Sequence, residues 1–254
     1  MKDWRNSYKA PEGGISAVST ADSGNTITWA HIRLPITPGV ISPTMADPKT
    51  PLSREQFVRV AIDFVEKHSM SEFTLRAIGD ELGVNNTAVY RYFPNKESLL
   101  DAMLDSVLAE IAAQPDPDGA TPRECIVEML SNVRLAFQNH SHLSATYVSA
   151  TGVFPSGLIL TRRITAHLHS MGLRGDALVR TYQMLEGYTL GTSVFDAGGA
   201  PDTWTIRQER YRYVNSPDFD DAARDTERVR RIANDGFTRA ISLILDDAEK
   251  DLSH

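Results

Sequence analysis

The stretch LGVNNTAVYRYFPNKESLL, Leu82 to Leu100, constrains the fold of this chain more than any other. Gly83 closes an apolar-periodic segment, where a left-handed residue ends a helix without steric penalty. Asn85 follows at once and offers a side-chain oxygen to the first N–H groups of a new helix. On that second helix Val89 and Phe93 fall four apart and point inward, leaving Asn86, Thr87, Tyr90 and Arg91 for the other face. Asn95, after Pro94, caps a third helix. Two short helices on a glycine turn, the second bearing amide, hydroxyl, phenol and guanidinium groups, suit the DNA major groove.

The flanking residues extend the pattern. Ser53 and Gln56 form an S-x-x-Q capping box, and Leu52 with Phe57 forms a hydrophobic staple. Phe57, Val60, Ala61, Phe64 and Val65 then make one apolar helical face ending near His68. Thr74 caps the next helix. The helix after Asn95 carries Leu99, Leu100, Met103, Leu104, Val107, Leu108 and Ile111 inward, and the tract Gln114-Pro115-Asp116-Pro117-Asp118-Gly119 stops it.

Thr74, Arg76, Ile78-Gly79, Leu82-Gly83-Val84, Asn85 through Ala88, Val89-Tyr90-Arg91-Tyr92-Phe93 and Lys96 together resemble the TetR family of bacterial transcriptional regulators. The resemblance runs from Leu52 to about Ile111. Gly79 stands where such proteins usually carry alanine; both are small, so close helix packing is expected to survive with some loss of helix propensity. The resemblance implies an all-α fold: a helix-turn-helix DNA-binding domain over residues 49–95, then a larger helical ligand-binding and dimerisation domain over 96–254, with 96–113 as connecting helix. Arg76 resembles a position that reaches a base edge, and Asn86 and Thr87, at the exposed start of the recognition helix, are further base readers. Tyr90, Tyr92 and Lys96 resemble positions that grip phosphate, Arg91 serves either role, and Thr74 and Asn85 complete the DNA-facing set.

The formal net charge of −7 runs against DNA binding until it is divided along the chain. Residues 49–98 hold seven Lys/Arg and seven Asp/Glu, residues 1–48 hold four of each, and the acidic excess falls after Ser98. A neutral module with its cations on one face still binds phosphate, while the acidic remainder limits non-specific adhesion. The single cysteine, Cys125, forbids an internal disulfide, fits a reducing cytosol and reads as a buried inert thiol. No apolar run spans a bilayer and no secretory segment opens the chain, so a cytoplasmic protein without a membrane partner is expected.

Residues 1–48 read as a disordered or mis-assigned N-terminal extension. The first 44 are rich in Gly, Ser, Thr and Pro without helical period, and three readings stand open: a disordered tail, synthesis starting at Met45, or a DNA-contacting arm using Arg5, Lys9 or Arg33.

Past the Pro-Asp tract, helices are expected over Pro122 to Asn139, His142 to Ala150, Ser156 to Met171 with Leu158, Leu160, Ile164 and Leu168 apolar, Gly175 to Ala197, and Asp235 to Asp251. Gly198-Gly199 and Ala200-Pro201 mark a loop before an Arg- and Tyr-rich stretch, Arg207 to Tyr213. The stripe Phe237, Ala240, Ile241, Ile244 and Ala248, and the small pair Gly187 and Gly191, read either as intramolecular packing or as dimer contacts. The resemblance implies a homodimer built on the last two long helices, which also suits a recognition helix that reads few base pairs alone.

A ligand pocket is likewise implied by resemblance, with Tyr147, Phe154, His167, Tyr182, Glu186 and Trp204 as candidate liners, though each also fits a core or rim position. His167 and His169 point apart on a helix, so no metal site is expected, and no cofactor. Arg162-Arg163 and the Arg228-Arg230-Arg231 cluster read as solvated faces or as partners of Asp225 and Glu227. No nucleophile elbow, phosphate loop or zinc-protease motif is present, so no catalysis is expected. The expected function is a ligand-responsive transcriptional regulator, a dimeric repressor released from double-stranded operator DNA by a small, largely apolar effector. The alternative is an all-α sensor or interaction protein with the fold but without sequence-specific DNA binding.

Overall fold

A computed structural model describes residues 52–150, 152–197 and 203–252, and these are helical and connecting segments with no strand among them. The readings made for residues 1–48, and the Gly198–Pro201 loop, lie outside the described residues. No described helix is long and apolar enough to cross a membrane.

The helix starts follow from side-chain caps. α1 (Arg54–Lys67) begins on the reciprocal Ser53–Gln56 box and buries Phe57, Val58, Ala61, Phe64 and Val65, with Val60 half-buried. Thr74 accepts the Ala77 N–H to open α2 (Leu75–Glu81), and Asn85 accepts the Ala88 N–H to open α3 (Asn86–Tyr92). Between them Gly83 adopts φ 67°, a conformation only glycine takes without strain. Val89 and Phe93 are fully buried against Phe57 and its neighbours. α2 also presses close on α3: a Cβ placed on Gly79 would meet Val89 Cγ2 at 3.0 Å and the Val84 carbonyl at 3.2 Å. Glycine here therefore sets how near the two helices stand.

α4 (Lys96–Ala112) starts on an Asn95–Ser98 box and buries seven residues, from Leu99 to Ile111, against both α1 and the helices that follow. Leu100, expected inside, is only half-buried. α5 (Pro122–Asn139), α6 (Ser141–Ser149) and α7 (Pro155–Ser170) then pack on α4, and α8 (Gly175–Ala197) packs on α5, α6 and α7, with α5 on α8 and α4 on α7 the most extensive contacts. α7 has no cap of its own; Asp105 of α4 supplies one, accepting the Ser156 N–H at 2.8 Å. Cys125 is buried in α5, where desolvation and then the Asp116 carboxylate push its thiol above the usual range.

Two expectations need correction, for Leu158 and for the start of the last helix, and two readings left open are resolved. Leu158 is 43% exposed, because it falls opposite the buried Leu160–Ile164–Leu168 stripe of α7. The Arg- and Tyr-rich stretch belongs to a helix, α9 (Thr203–Arg212), and a further short helix, α10 (Pro217–Ala222), follows it. The last helix, α11 (Thr226–Asp251), starts at an Asp225 cap rather than at Asp235. Finally, Phe237, Ile241 and Ala248 are buried within the chain, so that stripe is spent on internal packing and is not the surface offered to a second copy. In contrast, a Cβ at Gly187 or Gly191 would meet nothing within 4 Å.

Candidate functional site

Nine side chains were singled out on the helix pair, and the structure sorts them by what already holds them. Thr74 and Asn85 are exposed but serve as caps. Tyr92 donates its hydroxyl to the Leu52 carbonyl at 2.5 Å, and its ring packs on Phe57 with centroids 5.1 Å apart. It thus ties the end of α3 to the entry of α1. Lys96 is half-buried over the Phe73 ring and lies 3.4 Å from the Met70 carbonyl. Arg76 is well exposed and pairs with Asp80, 3.8 Å away on the same helix, a pairing of little energetic weight. Among the described residues, no hydrogen bond or ion pair engages Asn86, Thr87, Tyr90 or Arg91, and all four are exposed on one side of α3.

Removing the Tyr92 hydroxyl separates the two roles proposed for it. Tyr92→Phe is expected to lower stability by about 0.5–1.5 kcal/mol through the lost Leu52 bond, while DNA affinity stays within a few-fold. A large affinity loss at unchanged stability would instead place the hydroxyl on phosphate.

A second feature lies between α4, α5, α7 and α8. A cavity with roughly 480 Å³ of unfilled space when its open mouth is included, of which about 50 Å³ has room for the centres of water-sized molecules, is walled by Leu108, Leu130, Val133, Leu160, Ile164 and Leu185. Its polar groups converge. Tyr182 donates to Glu186 Oε1 at 2.7 Å and lies 2.8 Å from the Thr161 hydroxyl, forming a short relay that ends on the carboxylate. Burial, and then the Glu186 bond and charge, push the Tyr182 phenol well above its ordinary value, so it stays a donor at any working pH. Tyr147 is raised likewise, by burial first and Glu186 second. Thr189 carries a buried hydroxyl with no hydrogen-bond partner among the described residues.

Of the six expected liners, Tyr147, Tyr182 and Glu186 reach this cavity. Phe154 stands behind it, stacked on Tyr147 with centroids 5.2 Å apart. Trp204 lies beneath Arg207, and His167 turns away to Asp116. Thr161 and Thr189 were missed, being inconspicuous residues whose placement depends on how α7 and α8 face each other.

Residues 57–103 match the family model described as bacterial regulatory proteins, tetR family. The "HTH-type transcriptional repressor DrrR1" of Streptomyces coeruleorubidus is 26% identical over 146 residues, spanning 58% of this chain and 54% of that protein. The class A tetracycline repressor of Escherichia coli is 36% identical over 61 residues, 24% of this chain and 28% of its own length. The chain thus spans about half of the first of these relatives, and a smaller part of the second. Among solved structures, ActR of Streptomyces coelicolor, in complex with actinorhodin, aligns at a TM-score of 0.62 with 21% identity, covering 78% of this chain and 99% of that one. BioQ of Mycobacterium smegmatis aligns at 0.56 with 22% identity, covering 79% and 99%.

Residues 57–103 thus carry the sequence pattern of the TetR family. The matched segment ends inside α4, so the sequence likeness to the family model covers the helix pair and the first part of the helix beneath it. Beyond that, the chain shares an arrangement of helices with these solved structures.

Proposed function

We propose that this chain is a ligand-responsive DNA-binding transcriptional regulator: a homodimeric repressor that leaves double-stranded operator DNA when a small, largely apolar molecule fills the cavity. The reading places it in the cytoplasm and assigns it no catalysis. Residues 49–95 act as the DNA-binding domain and 96–254 as the ligand-binding and dimerisation domain, with 96–113 connecting them. One observation carries the proposal. α4 packs under the helix pair through α1 and lines the cavity through Leu108, so a single rigid element borders both. The likeness to the DrrR1 transcriptional repressor supports repression, and the actinorhodin complex of ActR supports a small-molecule effector. The aliphatic walls favour a hydrophobic body, and Glu186 and Thr189 favour a ligand carrying a hydrogen-bond donor.

DNA reading falls to Arg76, Asn86 and Thr87, and backbone contact to Tyr90 and Arg91, with Lys96 adding charge from a half-buried position. The test is to recover genomic fragments bound by the purified chain and measure affinity by fluorescence anisotropy. Arg76→Ala is expected to lose about 1–3 kcal/mol at the preferred fragment and relax choice at one base pair. Should no fragment bind more tightly than bulk DNA, the chain is a sensor without operator recognition.

Signal transfer can be separated from ligand binding at Asp105. Leu108 lines the cavity, so trimming it disturbs ligand affinity and transmission together. Asp105 instead joins α4 to the start of α7, through the Ser156 N–H. Asp105→Ala is expected to cut induction at saturating effector several-fold while leaving effector affinity within ~2-fold (about 0.4 kcal/mol). Paired calorimetry and operator release check it; unchanged induction removes this link from the path.

A further inference from the structure

Away from the cavity, the tract after α4, the first turn of α5 and the last turn of α7 assemble three donors of different chemistry. A carboxylate oxygen of Asp116, the Cys125 thiol and an imidazole nitrogen of His167 all lie within 4.8 Å of one another. His167 Nε2 is 3.0 Å from Asp116 Oδ2. Ligands around a tetrahedral ion with bonds of about 2.0–2.3 Å stand roughly 3.3–3.8 Å apart, so this set needs only small side-chain adjustments to enclose one. We propose that Asp116, Cys125 and His167 bind a single divalent transition-metal ion of the zinc class where α4, α5 and α7 meet.

The donor set selects the ion. Sulfur and imidazole favour zinc and its late first-row neighbours over magnesium or calcium, which take oxygen ligands. Asp116 also has the surroundings of a ligating carboxylate. Its Oδ1 accepts from Arg163 at 2.5 Å, and Arg163 in turn donates to the Ala112 carbonyl at 3.2 Å. Such outer hydrogen bonds fix the direction in which a ligand oxygen points. An ionic cluster of Arg163, Asp116 and His167 would explain those three residues and give the thiol no part. Cys125 is what distinguishes a metal site from a salt bridge. Glu128, one turn beyond Cys125 on α5, lines the same small hollow as Asp116 and Cys125 and is the candidate for the fourth position. Binding transfers the thiol proton to solvent and leaves a thiolate on the metal. An ion held here fastens the Pro-Asp tract to α7 and braces the end of α4, independently of any apolar effector.

The test uses the full chain, stripped with a chelator under reducing conditions and titrated with Co²⁺ alone. One Co²⁺ per chain is expected, with a thiolate-to-metal charge-transfer band in the near ultraviolet that Zn²⁺ abolishes by competition. Cys125→Ser is expected to remove the band and weaken binding at least tenfold (about 1.4 kcal/mol). Asp116→Asn, at an exposed position where refolding problems are not expected, should weaken binding by a similar factor. His169→Gln should change nothing. Circular dichroism verifies that each variant is folded. A wild-type chain without the band, or a band that survives Cys125→Ser, overturns the proposal; if that variant fails to fold, undiminished Co²⁺ affinity in Asp116→Asn does so.

Discussion

Asp196→Ala is expected to destabilise the chain by about 3–5 kcal/mol, because it strands two guanidinium groups. Asp196 ends α8 with a side chain only 3% exposed. It accepts from Arg134 of α5 through Nε at 3.0 Å and through a second, closer nitrogen. It also accepts from Arg207 of α9 at 2.5 Å and from Gln138 at 3.2 Å. Arg134 is itself buried, and keeps after the substitution only Asn234 and the Phe237 ring. Neutral partners do not replace a buried carboxylate. Asp196→Asn retains an acceptor and should fall between the two. Urea midpoints compared across the three proteins check this, and a loss below about 1 kcal/mol would mean that solvent reaches the cluster.

Leu243→Glu is expected to convert a dimer into monomers and to weaken operator binding by about two orders of magnitude, roughly 2.7 kcal/mol. The basis is a surface left over when the chain has buried what it can. On α8, Met184, Gly187, Gly191 and Phe195 recur at helical spacing and are exposed; on α11, which packs beside it, Ile232 and Leu243 are exposed too. In a two-fold interface the substitution appears twice, setting like charges against an apolar patch. Leu243 is 56% exposed in the single chain, so monomer stability should hardly change. Light scattering separates the outcomes: a dimer that persists in the variant puts the interface elsewhere.

Local chemistry explains which parts of this architecture could be read from residues alone. Ser53, Thr74, Asn85 and Asn95 announce helix starts because a cap needs only one side chain and the next few N–H groups. α9 offered no such signal. It is held by polar contacts, with Gln208 donating to the Ala223 carbonyl and accepting from Thr226, and its sequence shows little apolar period. The first turns of α11 were missed for the same reason, since among Arg228, Arg230 and Arg231 only Val229 is buried deeply. At the site, exposure of Asn86, Thr87, Tyr90 and Arg91 followed from the helical period, whereas the anchorage of Tyr92 was not legible. Its partner, the Leu52 carbonyl, is remote in sequence, and no spacing rule reaches that far. His167 went astray likewise, drawn to Asp116 by a fold that periodicity does not describe.

The contact between Gly79 and Val89 has a consequence for how this chain can change over generations. With a Cβ on residue 79 held to 3.0 Å from a Val89 methyl, an alanine there needs the Val89 side chain to give by a few tenths of an ångström. The two positions are therefore coupled through their packing, so a substitution at one is felt at the other. A change at this contact would act on how α3 lies against α2 without altering the exposed side chains of Asn86, Thr87, Tyr90 and Arg91.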